Sequence, residues 1–175
     1  IDSSTLANKG LEVIEASFLF NFKPEDISVT VHRQSVVHSM IRTKEGAVYA
    51  QMSPPDMTLP IIAALSDGKA KLENVVSPLS FDNLTLTFEK PDTKRFPLLA
   101  LAYKALEIGG SATIAYNAAD EVAVNAFMEG TIPYSRISEI VEKTLLNETF
   151  TDKVGNYKET MEKDRIAREI ARSAI

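Results

Sequence analysis

The sequence predicts an α+β chain: a partial α/β domain with a mixed sheet, followed by a small all-α helical bundle. Three observations carry this expectation. Apolar–polar alternation is concentrated between residues 27 and 52, where it reads as strands. Beyond Pro91 no further strand pattern occurs, and helical periodicity punctuated by glycine and proline takes over. Hydrophobic residues make up 45% of the 175 residues, enough for a packed core. The expected division is residues 1–66 for the sheet-bearing part, 67–94 for a connector and 95–175 for the bundle.

The first element is a helix over residues 6–20, with Leu11, Ile14, Glu15, Phe18 and Leu19 as a mostly apolar stripe. Ser3, Ser4 or Thr5 can cap it, and its first N–H groups offer an anion site. Pro24 breaks the segment 21–26. Strands are expected over 27–31, 36–41 and 47–52, the last two joined by a turn at Lys44-Glu45-Gly46. Ser53-Pro54-Pro55-Asp56 is a rigid loop, and Asp56 can cap a short helix over 57–65. The connector holds Asp67-Gly68, Asn74 and Pro78 and one strand-like run, 84–88. Four helices follow. Pro97 starts one over 98–108, ended by Gly109-Gly110; Ser111 or Thr113 opens another running to Met128. The third covers 135–146 and the fourth 157–175, with Ile166, Ile170 and Ile175 as a narrow apolar seam.

Composition excludes several classes of chemistry. There are no cysteines, so neither disulfides nor thiolate metal sites are available. A net charge of −5 with mixed signs gives no footprint for nucleic acid, and any phosphate ligand must be held by a local pocket. No apolar run approaches the roughly 20 residues of a membrane helix. No signal peptide is visible, although without an initial methionine the N-terminus is out of view; the expectation from these bounds together is a soluble, cytoplasmic piece of a larger chain.

The chemistry-bearing residues cluster at the start. Asn8 and Glu12 are four apart and share a helix face, with Lys9 one step round. A hydroxyl, an amide donor and an ammonium suit a phosphate; a carboxylate one turn further suits a divalent cation. On spacing alone, a capped surface helix with an ordinary Lys and Glu explains the same residues. His32 and His38 would face one way on a continuous strand, but a chain with two histidines and no cysteine lacks a third zinc ligand. Hydrogen-bonded structural histidines are expected. Pro55 and Met57 suit the wall of a ligand pocket as well as they suit a turn followed by a core methionine. Asn117 and Glu121 are expected as a buried hydrogen-bonding pair, Asp120 beside them is given no catalysis, and the charge run 159–172 is expected to be a solvated helix face.

One resemblance sharpens these alternatives. The run Asp2-Ser3-x-Thr5-x-x-Asn8-Lys9-x-x-Glu12 resembles the 1-deoxy-D-xylulose 5-phosphate reductoisomerase family. The likeness continues through the segment from His32 to Met40, then Pro54-Pro55-Asp56-Met57, then Asn117-Ala118-Ala119-Asp120-Glu121. Arg33 stands where many members have proline, a change expected to affect strand geometry more than chemistry. The resemblance implies an NADPH-dependent enzyme of the non-mevalonate isoprenoid pathway. It isomerises 1-deoxy-D-xylulose 5-phosphate to an aldehyde and reduces this to 2-C-methyl-D-erythritol 4-phosphate. It further implies that Lys9 and Glu12 are catalytic, that Ser3, Asn8, Lys9 and Glu12 bind substrate, and that Glu12 ligates Mg²⁺, Mn²⁺ or Co²⁺. Pro55 and Met57 would lie against NADPH. Residues 1–66 would be the end of a metal- and substrate-binding domain that dimerises, and 95–175 the C-terminal helical domain. The parent would be a bacterial cytoplasmic, or plastid-type, homodimer, and these 175 residues alone would be inactive. The alternative is a non-catalytic helical interaction module with a dimerising sheet.

Overall fold

The computed structural model describes residues 1–69 and 77–175. Asn74, one of the expected turn residues, lies outside the described residues. The chain forms two compact units, residues 1–29 with 91–175, and residues 30–90. These divisions differ from the three-part division expected at 66/67 and 94/95, because the first long helix packs against the bundle.

That first helix also begins differently. Asp2–Thr5 makes one short turn, α1; Leu6 takes a left-handed backbone with φ 60°, and α2 restarts over Ala7–Phe20. A non-glycine residue in this conformation costs about 1–2 kcal/mol, so its surroundings must hold it there. No side chain caps α1 or α2 at the N-cap residue itself. Instead the Thr5 hydroxyl accepts a hydrogen bond from the Ala7 N–H at 3.2 Å, so one of the expected hydroxyls still serves a first-turn amide. The buried face of α2 is Ala7, Gly10, Val13 and Ile14. Phe18 and Leu19, expected in the apolar stripe, are 69% and 74% exposed; the stripe covers only the first half of the helix.

In the same unit, α4 (Pro97–Ile108), α5 (Ala112–Met128), α6 (Arg136–Leu145) and α7 (Tyr157–Ser173) form the expected bundle. α5 is its centre: Ala112, Ala115, Ala118, Ala119, Ala123 and Ala126 are buried, and small side chains let α6 and α7 approach closely. Tyr116, Leu98, Ile137, Ile140, Leu145 and Phe150 fill the remaining core. Asn156 and Glu159 close the start of α7 reciprocally. The Asn156 side chain accepts from the Glu159 N–H at 3.0 Å while its amide donates to Glu159 at 2.8 Å. Ile166 and Ile170 of the expected α7 seam pack half-buried against the core beside the buried Ala167, Ala171 and Ala174, while Ile175 is 50% exposed.

The second unit is thin. β1 (Val37–Arg42) and β2 (Val48–Met52) form an antiparallel hairpin, with an irregularity between Val37 and Ser39. Its turn is as expected: Thr43 N–H donates to the Ala47 carbonyl at 2.8 Å, and Gly46 supplies the φ of +94°. Residues 27–31 do not form the expected strand. A strand needs a neighbour for its backbone groups, and among the described residues only Val31 finds a bridge partner, exchanging two 2.9 Å hydrogen bonds with Glu89 at the end of the strand-like 84–88 run. The side-chain alternation survives without the ladder: Ile27, Val29 and Val31 are half-buried, Ser28 and Thr30 exposed. Arg33 sits in a turn, not a strand, and pairs with Glu89 at 3.0 Å. α3 (Thr58–Leu65) follows, its first N–H donating to the Asp56 carboxylate at 2.8 Å as expected.

Candidate functional site

The packed face of α2 determines what its other face presents. Gly10 is buried, and an added Cβ would stand 2.6 Å from the Tyr116 hydroxyl and 2.8 Å from the Ala102 Cβ. Helix α2 therefore lies close against α4 and α5, which leaves Asn8, Lys9 and Glu12 turned outward. There the Asn8 side-chain amide donates to one Glu12 carboxylate oxygen at 2.9 Å, and the Lys9 ammonium meets the other at 2.5 Å. Lys9 and Glu12 side chains are 39% and 46% exposed, so the pair adds little stability. Its consequence is geometric: a carboxylate held at both oxygens points one way. Ser3 is exposed in α1, ahead of the strained Leu6. Its neighbour Ser4 reaches Tyr134 of the bundle at 3.2 Å.

A divalent cation of the Mg²⁺ class takes about six oxygen ligands. Among the described residues no three histidine or carboxylate side chains group for such an ion. Glu12 is the right donor type, so this chain offers one carboxylate ligand and not a complete site. Pro55 and Met57 are exposed on either side of Asp56, with Met57 immediately before α3. Asp56 is held below the usual carboxylate range by its hydrogen bonds from Thr58.

The histidines are hydrogen-bonded, as expected. His32 Nδ1 lies 2.8 Å from the Thr87 carbonyl and its ring stacks on Phe88 at 4.7 Å. His38 Nε2 lies 2.9 Å from the Ser53 hydroxyl. Asn117 and Glu121 are joined at 3.1 Å, but Glu121 is exposed rather than buried. It reaches across to Arg168 of α7 at 2.9 Å, so one member of the charge run 159–172 links two helices. The buried acid is the neighbour, Asp120, 3% exposed, which spacing did not single out. Its position in an alanine-lined helix was the available signal.

An outward amide–ammonium–carboxylate face on a helix seated against an all-α bundle, with a small antiparallel sheet in the second unit, defines the class: an α+β protein with a C-terminal helical bundle. The sequence description of the DXP reductoisomerase C-terminal domain matches residues 52–170. The chain belongs to the 1-deoxy-D-xylulose 5-phosphate reductoisomerase family. It is 47% identical to the enzyme of that name from Treponema denticola over 176 aligned residues, covering 100% of this chain and 46% of the relative. It is likewise 47% identical to that of Trichlorobacter lovleyi, covering 98% and 44%. Among solved structures it is similar to the Zymomonas mobilis reductoisomerase in complex with NADPH, with TM-score 0.88 and 40% identity over 98% of this chain and 45% of that one. A DOX-P reductoisomerase in complex with NADPH, fosmidomycin and magnesium gives TM-score 0.89 and 38% identity over 99% and 44%. The chain thus spans under half the length of these relatives.

Proposed function

We propose that this chain is part of an NADPH-dependent reductoisomerase converting 1-deoxy-D-xylulose 5-phosphate to 2-C-methyl-D-erythritol 4-phosphate in non-mevalonate isoprenoid biosynthesis. Family membership supports this, as do the relatives solved with NADPH and magnesium. The observation that carries it is the Asn8–Lys9–Glu12 face, oriented by its own hydrogen bonds on a helix whose opposite side is locked. In this role Glu12 gives the metal one hard oxygen ligand, and Ser3, Asn8 and Lys9 bind the phosphate and neighbouring oxygens. A bound Mg²⁺, Mn²⁺ or Co²⁺ supplies the positive charge that polarises the substrate's vicinal oxygens. The Lys9 ammonium is then free to exchange Glu12 for a substrate oxygen. Pro55 and Met57 shield the nicotinamide from water. Residues 1–66 belong to the metal- and substrate-binding domain of that enzyme and 95–175 to its helical domain.

The protein acts as a homodimer joined through residues 27–52, where Met40, Ile41, Val48 and Tyr49 are 44%, 69%, 52% and 65% exposed. It works in the cytoplasm, or in a plastid. Among the described residues no helix is long and apolar enough to cross a membrane.

The test is Glu12→Gln in the full-length protein. Turnover should fall by several orders of magnitude with NADPH affinity nearly intact, since one ligand charge is lost where developing oxyanion charge must be stabilised. Near-normal turnover at saturating Mn²⁺ would remove Glu12 from the metal. The 175 residues alone should neither turn over nor bind NADPH, which a fluorescence titration reads directly.

A further inference from the structure

A hydrogen bond between two hydroxyls ties the α1 turn to the bundle. Ser4, beside Ser3 in that turn, donates its hydroxyl to the Ile1 carbonyl at 2.6 Å. Its only proton is thereby committed. In the 3.2 Å contact with Tyr134, 130 positions away, the phenol therefore donates and Ser4 Oγ accepts. The Tyr134 end of this bond is firmly held. Tyr134 stands in the connection between α5 and α6, where Gly130 turns the chain at φ +75°. Thr131 returns both its N–H and its hydroxyl to the Ala126 carbonyl, at 2.9 and 2.8 Å. Ile132 is buried, Pro133 fixes its own φ, and the Tyr134 ring meets Phe127 edge-on at 5.6 Å. Phe127 in turn packs on the core, so the bundle aims the phenol although Tyr134 is 45% exposed.

The α1 end is held far less. Its four residues bury only Thr5, while Ser3 and Ser4 are exposed. Leu6 follows at φ 60°, a conformation that a leucine keeps only under constraint. The bonds from the Ser4 and Thr5 hydroxyls to the Ile1 and Asp2 carbonyls lie within the turn and travel with it. Beyond the turn, Thr5 is held by the Ala7 N–H next to the strained residue, and Ser4 is held by Tyr134. We propose that Tyr134 is a positioning residue for substrate: its hydroxyl fixes Ser4, and through Ser4 the turn that brings Ser3 to the same phosphate as Asn8 and Lys9. The inference rests on the phosphate-binding role proposed above for Ser3. Without the phenol hydroxyl, relaxation at Leu6 lets the turn swing, and Ser3 must be ordered anew at each binding event. Asn8, Lys9 and Glu12 ride on α2, which is locked at Gly10, so they keep their places.

The experiment compares wild type, Tyr134→Phe, Ser4→Ala and the double variant in the full-length enzyme. Phenylalanine keeps the ring on Phe127 and removes only the hydroxyl, so the thermal midpoint should stay at the wild-type value. KM for 1-deoxy-D-xylulose 5-phosphate should rise about threefold to tenfold in Tyr134→Phe, the range one hydrogen bond spans, with kcat and the KM for NADPH unchanged. Ser4→Ala should give the same rise, and the double variant no more than either. An unchanged KM in Tyr134→Phe would overturn the proposal. So would a normal KM in Ser4→Ala, which would place the phenol on the substrate itself. A second readout needs no turnover. The Ser4 and Thr5 amides, both bonded to the Ile1 carbonyl, should exchange hydrogen severalfold faster in Tyr134→Phe than in wild type. Equal exchange rates would overturn the tether. A wild type that fails to convert the sugar would instead overturn the functional proposal, and the exchange rates would still decide whether Tyr134 holds the turn.

Discussion

The two compact units solve opposite problems with similar local propensities. The helical unit, residues 1–29 with 91–175, buries almost every large side chain that the described residues bury. The unit formed by residues 30–90 has a two-stranded hairpin and one short helix, and of its described hydrophobic residues only Val36 is buried, at 8% exposure. A hairpin of this size has too little apolar area to offset the entropy of ordering its chain. The comparison teaches that only the helical unit carries stability of its own, and that it also carries Ser3, Asn8, Lys9 and Glu12, the residues proposed to hold substrate and metal.

The largest expected break in that comparison is Phe150→Ala. Phe150 is fully buried where the loop between α6 and α7 turns back onto the bundle, and its carbonyl accepts the Ser111 N–H at 3.1 Å. Truncation should cost about 3–5 kcal/mol in urea unfolding of the helical unit. A loss under about 1 kcal/mol would mean the core is not where the burial places it.

A sharper probe is the pH dependence of Asp120→Asn. Burial, then the charge of Asp2, then that of Glu121, push native Asp120 up to about 7 against an ordinary 3.8, so between those values the folded state binds more protons than the unfolded one. Its contribution is complete below about 4 and is lost as pH rises through about 7. Asp120→Asn should therefore exceed wild type in unfolding free energy at pH 8, on the order of a few kcal/mol, and converge with it near pH 4. A constant difference across the range would deny the titration.

Gly10→Ala comes next. The methyl group would press on the Tyr116 hydroxyl and the Ala102 methyl, destabilising the helical unit by about 1–3 kcal/mol. Substrate KM in the full-length enzyme should rise with it, since α2 must move away from α4 and α5. Smallest is Ile41→Thr in β1. Ile41 is 69% exposed, so the unfolding free energy should stay within about 0.5 kcal/mol. Sedimentation should nevertheless report weaker self-association. Unchanged association at micromolar concentration would move the proposed dimer contact off this hairpin.

Much of this was legible in the sequence because it depends on neighbours along the chain. The Asn8–Glu12 bond follows from a four-residue spacing on a helix, and Pro97 and Gly109 bracket α4 through their own backbone preferences. Asp56 needed only the N–H of Thr58, two residues on. The strand over 27–31 failed for the complementary reason: its alternation is local, but its hydrogen bonds require a partner strand, and among the described residues only Glu89 pairs with it.

By itself, then, the amino-acid sequence determined the class of fold, the order of helices, the outward Asn8–Lys9–Glu12 face and, through its motifs, the family. Those properties reside in spacings of one to four residues and in the identity of a few side chains. Only the tertiary structure decided that Leu6 is left-handed, that Phe18 and Leu19 stay exposed, and that Ala167 and Ala171 are buried deeper than Ile166 and Ile170 in the packed face of α7. It also decided that Asp120, 118 positions from Asp2, sits within reach of its charge. Each of these is fixed by which surface another segment happens to cover, and burial, electrostatic repulsion and backbone strain are properties of that meeting rather than of either segment.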